Sequence, residues 1–334
     1  MKRAWLGAMV FVSATAVVAQ GCSSSSPSSA NPGPGAADGG VDSAAPVTGD
    51  RACGDYASAA CAAFANCGSF VVSFFFADQT TCVSRLKPKC MDTLAATGTS
   101  DTPESVEACS KALAGTSCAD ALQNNPPMAC RALAGTVQAG GSCGDSSQCA
   151  SAICGTTGAS GVCGTCVATR GQSGGTCKLD QDCDYGLVCA GGTCASPGVS
   201  GAMCDLTHPC KIGFECASAA CTAPQAVGAA CNPSADLCNH FEGGFCNADT
   251  KQCASGAVAG AGGPCGLING TLTFCVGGAE CIGVTTTSPG TCGSLSADGA
   301  PCGAMDGGTF AEPCETFATC FNNVCVFQDS TTCK

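Results

Sequence analysis

CKLDQDCDYGLVCAGGTC at residues 177–194 and CDLTHPCKIGFECASAAC at residues 204–221 space four cysteines identically. Cys177, Cys183, Cys189 and Cys194 form one set, and Cys204, Cys210, Cys216 and Cys221 the other. Outward from this pair the unit recurs with longer loops, as Cys231, Cys238, Cys246 and Cys253, then Cys265, Cys275, Cys281 and Cys292, then Cys302, Cys314, Cys320 and Cys325. A variant unit with Cys143, Cys149, Cys154, Cys163 and Cys166 precedes them, and Cys333 follows. A small residue stands just before several first cysteines, as Ser142, Thr176 and Ala230 do. A near-fixed period means that each unit is one structural element, stacked or strung in line.

Such a unit cannot fold on a core of its own. A bridge closing a loop of about 15 residues contributes roughly 3 kcal/mol in the chain-entropy treatment, and two bridges double that. Gly191-Gly192 and Gly243-Gly244 suit tight turns between very short strands. Four cysteines allow three pairings, and spacing does not choose among them. The preferred expectation is first with third and second with fourth.

Composition agrees with a stapled fold. Leu, Ile, Val and Phe make up about 16% of the 334 residues, below what a conventional core requires, whereas cysteine contributes 35. Ordering entropy must therefore be offset by cross-links. Zinc is the rival use of so many thiols, but only His208 and His240 are present, and the N-terminus points to an oxidising compartment. The net charge is −12, or −14 without Lys2 and Arg3, with no basic patch. Nucleic acid and anionic lipid headgroups are thereby poor partners.

Lys2 and Arg3 precede an apolar run at residues 5–19, of signal-peptide length and short for a membrane span. Ala19-Gln20-Gly21-Cys22 then resembles a lipobox, the site where lipoprotein signal peptidase cuts before a lipid-modified cysteine. That resemblance implies a signal peptide at 1–21 and lipidation at Cys22; ordinary cleavage after Ala19 is the competing reading. Residues 22–52 read as a Ser/Pro/Gly-rich flexible tether. Setting Cys22 aside leaves 34 cysteines, enough for seventeen bridges without an orphan.

Residues 53–135 read as a helical domain with Cys53, Cys61, Cys67, Cys82, Cys90, Cys109, Cys118 and Cys130. Tyr56, Ala60 and Phe64 form one stripe at four-residue spacing. Thr102 caps a helix whose first turn holds Pro103, and Gly115 can end it. Ser117 opens a further short helix. Another starts at Asp78 and carries Cys82 and Leu86, with Pro88 expected to break it before Cys90. FVVSFFF at residues 70–76 reads either as a contact site for a partner or, preferably, as this domain's core.

The spacing Cys143-x5-Cys149-x4-Cys154-x8-Cys163-x2-Cys166 resembles the N-terminal cysteine-rich domain of Dickkopf proteins, over some 25 residues. The whole layout resembles a family of cysteine-rich surface lipoproteins common in myxobacteria: lipobox, Ser-rich tether, helical eight-Cys domain, then repeats. These resemblances imply location and a disulfide fold; they imply no activity.

Candidate chemistry is sparse. Residues 171–175 match the G-x-S-x-G esterase pattern around Ser173, without the strand-to-helix elbow or the His and acid that give it meaning. Asp180, Asp182 and Asp184 alternate as calcium ligands would, but Tyr185 and Gly191 occupy positions where an EF-hand needs Gly and Glu. Cys163-Gly164-Thr165-Cys166 is a lone C-x-x-C without a βαβ setting. His208 and His240 read as surface or turn residues. No catalytic, cofactor or metal residue is assigned.

The expectation is a small disulfide-rich fold: a helical eight-Cys N-terminal domain followed by an array of short β-hairpin cysteine repeats. Six units span 140–334, starting near 143, 177, 204, 231, 265 and 302. The expected role is that of a non-enzymatic cell-surface lipoprotein, exported and lipid-anchored at the outer membrane of a Gram-negative bacterium. It would use its ectodomain for binding, adhesion or envelope interaction. Its partners would be the membrane, through the anchor, and an unknown protein or envelope ligand. The alternative is a protease inhibitor presenting loops at 266–274 and 303–313.

Overall fold

A computed structural model describes residues 46–155, 163–205, 207–285, 288–302 and 313–333. The signal segment, the Cys22 lipobox, most of the tether and the 303–312 loop lie outside the described residues.

Five helices form the N-terminal body: α1 Gly49–Cys67, α2 Ser69–Phe76, α3 Gln79–Ala95, α4 Pro103–Leu113 and α5 Cys118–Leu122. α1 begins inside the stretch read as tether, because the Thr48 hydroxyl accepts from Arg51 N–H and Asp50 favours the first turn. Thr102 caps α4 in a reciprocal box with Ser105, behind Pro103, and Ser117 caps α5. α3, capped by Asp78, runs straight through Pro88. The expected break does not occur because the helix is clamped on both sides of the proline. Cys82 bridges to Cys61 and Cys90 to Cys53, so two rungs about 12 Å apart fix α3 antiparallel to α1. Losing one helical hydrogen bond costs less than losing that clamp. Cys67–Cys118 ties α5 to α1, and Cys109–Cys130 ties α4 to the segment that follows α5. The core is accordingly alanine and sulfur with few large groups: Ala57, Ala60, Cys61, Val72, Phe76, Cys82, Leu86 and Leu113 are buried together.

Every repeat unit is built on one hydrogen-bond frame. The first cysteine bridges the third and the second bridges the fourth in the five units from Cys177 onward. In the first unit Cys143 bridges Cys154 and Cys149 bridges Cys166. The residue six places before each first cysteine pairs in parallel with the second: Val137 with Cys149, Gly171 with Cys183, and so on to Ser296 with Cys314. Three places before each first cysteine stands a glycine at positive φ: Gly140, Gly174, Gly201, Gly228, Gly262 and Gly299. Its N–H donates to the carbonyl of the hairpin's last cysteine at 2.7–2.8 Å. The following residue closes an i→i+3 turn, as Gly175 N–H to Gln172 O at 2.7 Å, with the glycine at the position that needs positive φ. The first unit therefore opens at Val137, ahead of the boundary at 140 read from the cysteines. In the first, fourth and fifth units the buried hydrophobic cluster is three cysteines.

The array is not strung in line. Its ends are joined by Cys163–Cys333, 170 residues apart in sequence, so the six units form a covalently closed ring. Each unit also touches the helices. Gln148, fully buried, donates to Thr97 O while accepting from Gly144 and Asp145 N–H. Asn124 Nδ2 donates to Asp180 O and Leu187 O of the second unit, and Ile212 N–H of the third donates to Gln123. α2 serves the fourth and fifth units: Phe70 and Phe74 meet Phe274 edge-on at 5.5 and 6.0 Å. At Gly68 a Cβ would lie 2.1 Å from Phe241 O, so only glycine admits the fourth unit there. Arg85 holds the sixth, donating to Asp298, reaching Glu315 at 3.2 Å and the Thr316 carbonyl at 2.9 Å. FVVSFFF is thus a seam: Val72, Phe75 and Phe76 pack in the helical core, and Phe70 and Phe74 meet Phe274 of the repeats.

Candidate functional site

Where the helical hub meets the first, second and sixth units lies a cavity of about 360 Å³. The hub supplies Tyr56 from α1, Leu86 and Lys89 from α3, Asp101 ahead of α4, and Arg131. The ring supplies Asp145, Arg170, Asp180, Tyr185 and Phe317. Met128 and Leu133 line it too and are largely exposed, which puts its mouth beside Arg131.

One wall is an Arg–Tyr–Arg stack. The guanidiniums of Arg131 and Arg170 lie 4.4 and 4.0 Å from the Tyr185 ring centroid. Arg170 is spent on the scaffold: it donates to Gln181 O, Cys183 O, Ala152 O and the Tyr185 hydroxyl, joining two repeats. Arg131 is not spent. Its Nε reaches Pro126 O at 3.4 Å, and its Nη groups meet no protein acceptor and no carboxylate among the described residues.

The other wall is acidic. Burial first, and then the Asp145 carboxylate, push Asp101 up to about 6, against a hydrogen bond from Ser147. The Tyr56 phenol is raised above its ordinary value by burial, then by Asp145 and Asp101. Its hydroxyl has no hydrogen-bond partner among the described residues, and its remaining surface belongs to the cavity lining. Lys89 is lowered by burial while its ammonium donates to Gln328 O and Ser330 Oγ. Asp180 is raised by burial, opposed by the Cys189 N–H that its carboxylate accepts. Partly buried charged groups that lack full pairing in a cleft make it a candidate ligand site.

The other sequence candidates are absorbed by the scaffold. Ser173 is exposed in the repeat turn, and Gly174 and Gly175 of the G-x-S-x-G match are its framework. Asp182 caps Lys178 and Leu179 N–H, and Asp184 accepts from Tyr185 N–H. Cys163 and Cys166 bridge different partners, Cys333 and Cys149, so the C-x-x-C makes no internal redox pair. His208 Nδ1 lies 2.9 Å from Asp205 Oδ1 and 3.0 Å from Thr207 Oγ1 in an exposed turn with no nucleophile placed beside it among the described residues. His240 Nδ1 lies 2.8 Å from Gly244 O. The cysteine triads with metal-like spacing are oxidised bridges and present no thiolate. Residues 266–274 are not an open loop: Pro264–Ile268 pairs with Thr271–Cys275, which pairs again with Ala257–Ala259, so their backbone is already used.

The cavity residues were missed because they come from positions as distant as Tyr56 and Phe317. One signal was on the page: the chain has two tyrosines, and both line this cavity. Seventeen disulfides mark an exported protein of an oxidising compartment. Among the described residues no helix is long and apolar enough to cross a membrane. No protein-family model matches the chain, and no curated protein or solved structure matches it significantly.

Proposed function

We propose that this is a non-enzymatic binding protein of the bacterial cell envelope, lipidated at Cys22 and displayed on a tether. The observation that carries it is the cavity between hub and closed ring, lined by a guanidinium whose Nη groups are unmatched and by an unpaired phenol. A scaffold with so many bridges loses little entropy on binding, since the site is held open before the ligand arrives. The lipobox-like Ala19-Gln20-Gly21-Cys22 supports the anchor, and outer-membrane display is the placement we favour for it.

Two measurements test the reading. Intact mass of membrane-extracted protein should show a start at Cys22 with added acyl chains; a start at Gln20 without them removes the anchor. A metabolite library screened by thermal shift on the oxidised ectodomain should contain compounds that raise the melting temperature of wild-type but not of Arg131→Gln. No such compound at millimolar concentration sinks the binding role.

A further inference from the structure

Building on the binding role just proposed, we infer that the cavity takes a small zwitterion of amino-acid or dipeptide size, its carboxylate on Arg131 and its ammonium between Asp101 and Asp145. Size comes first. About 360 Å³ falls near the lower end of the roughly 300–1,000 Å³ typical of small-molecule sites. A dipeptide with one small and one branched side chain fits that volume; a folded partner or an oligosaccharide does not.

Charge narrows the class. Lys89, Arg131 and Arg170 oppose Asp101, Asp145 and Asp180, so the lining is neutral as a whole but divided. At the Tyr185 wall Arg170 is satisfied by carbonyls, whereas Arg131 faces the cavity with its Nη donors unmatched. Its planar face is covered by the Tyr185 ring at 4.4 Å, which leaves the edge, the part that grips a carboxylate through two parallel N–H bonds. At the acidic wall the Lys89 ammonium, tied to Gln328 and Ser330, answers Asp145, Asp92 and Asp329, whereas Asp101 has the Asp145 carboxylate as its charged neighbour and no cation. Asp145 Oδ1 accepts from Ser147 N–H and Oγ. One unmatched charge of each sign therefore remains, and the Tyr56 hydroxyl beside the acids adds an unpartnered donor and acceptor suited to a backbone amide. Between the walls Leu86, Val106 and Phe317 supply an apolar floor for a side chain.

The probe is L-alanyl-L-leucine, titrated calorimetrically into the full oxidised ectodomain beside its N-acetyl and C-terminal amide forms. The free dipeptide should bind, and blocking either end should weaken it at least tenfold. Arg131→Gln should bind dipeptide and amide alike, and Asp101→Asn should bind dipeptide and N-acetyl dipeptide alike. If either variant fails to reach the wild-type melting temperature and bridge count, the three ligands on wild-type alone still decide. Dipeptide binding that ignores both blocking groups overturns the inference, as does no binding of it or of free leucine at 10 mM. The wider binding role falls separately, only if the metabolite library also gives no Arg131-dependent shift.

Discussion

Opening the ring at its clasp is the sharpest test of the architecture. In Cys163→Ser/Cys333→Ser the other sixteen bridges remain, so the change isolates closure. The clasp spans 170 residues, but five bridged units inside that span shorten the covalent path to roughly 100 residues. For a loop of that size the chain-entropy treatment gives about 4.7 kcal/mol lost. At a domain of this size that corresponds to a fall of roughly 10 °C in melting temperature. Differential scanning calorimetry of the oxidised double variant measures it, with bridge count checked by mass after alkylation without reduction. Limited proteolysis should locate the first cuts near 163–170 and 326–333, where the ring has parted. A melting temperature within 2 °C of wild-type would refute the reasoning, because the hub contacts alone would then be closing the ring.

Three further outcomes follow from the geometry. Gly174→Ala should cost about 1–2 kcal/mol from positive φ alone, since nothing lies within 4 Å of the added Cβ; urea unfolding midpoints measure it. Arg85→Met removes the latch to Asp298, Glu315 and the Thr316 carbonyl; the side chain is 13% exposed but its acidic partners about 40%, so the loss should be near 2 kcal/mol and should loosen the sixth unit first in hydrogen exchange. Asp101 is raised in the folded state, so its contribution to stability is fully present below the ordinary carboxylate range and is lost as pH rises through about 6. Asp101→Asn should therefore melt higher than wild-type at pH 7.5, by roughly 2 kcal/mol, and the gap should close at pH 4.

The repeat frame was nearly complete in the sequence. Identical spacing in two units identified the element, and first-with-third, second-with-fourth pairing holds in the five regular units. The glycine three places before each first cysteine was equally visible, yet it was read only as a small residue near the unit's start. Helix starts at Thr102 and Ser117 were legible because a cap is a local device. Pro88 misled for the same reason: its local preference was overruled by two bridges to α1 that no local pattern shows. Ring closure and the cavity were illegible since they depend on contacts across the chain. Cys163 stood in a lone C-x-x-C whose spacing names no distant partner, and no local pattern marks Arg131.

Closure also sets a copy number. An open array of stacked repeats can gain or lose a unit, because each touches only its neighbours and the ends are free. Here every unit has its own seat on the helices: Gln148 at Thr97, Ile212 at Gln123, Phe274 against Phe70, Asp298 on Arg85. A seventh unit would find no seat and would carry Cys333 away from Cys163; a missing one would leave the two ends short of each other. Variation is thereby steered into loops between cysteines, which in the five regular units already range from four to eleven residues while the frame stays fixed. The hub works as a counting gauge, and lineages of such proteins should differ in loop length far more than in number of repeats.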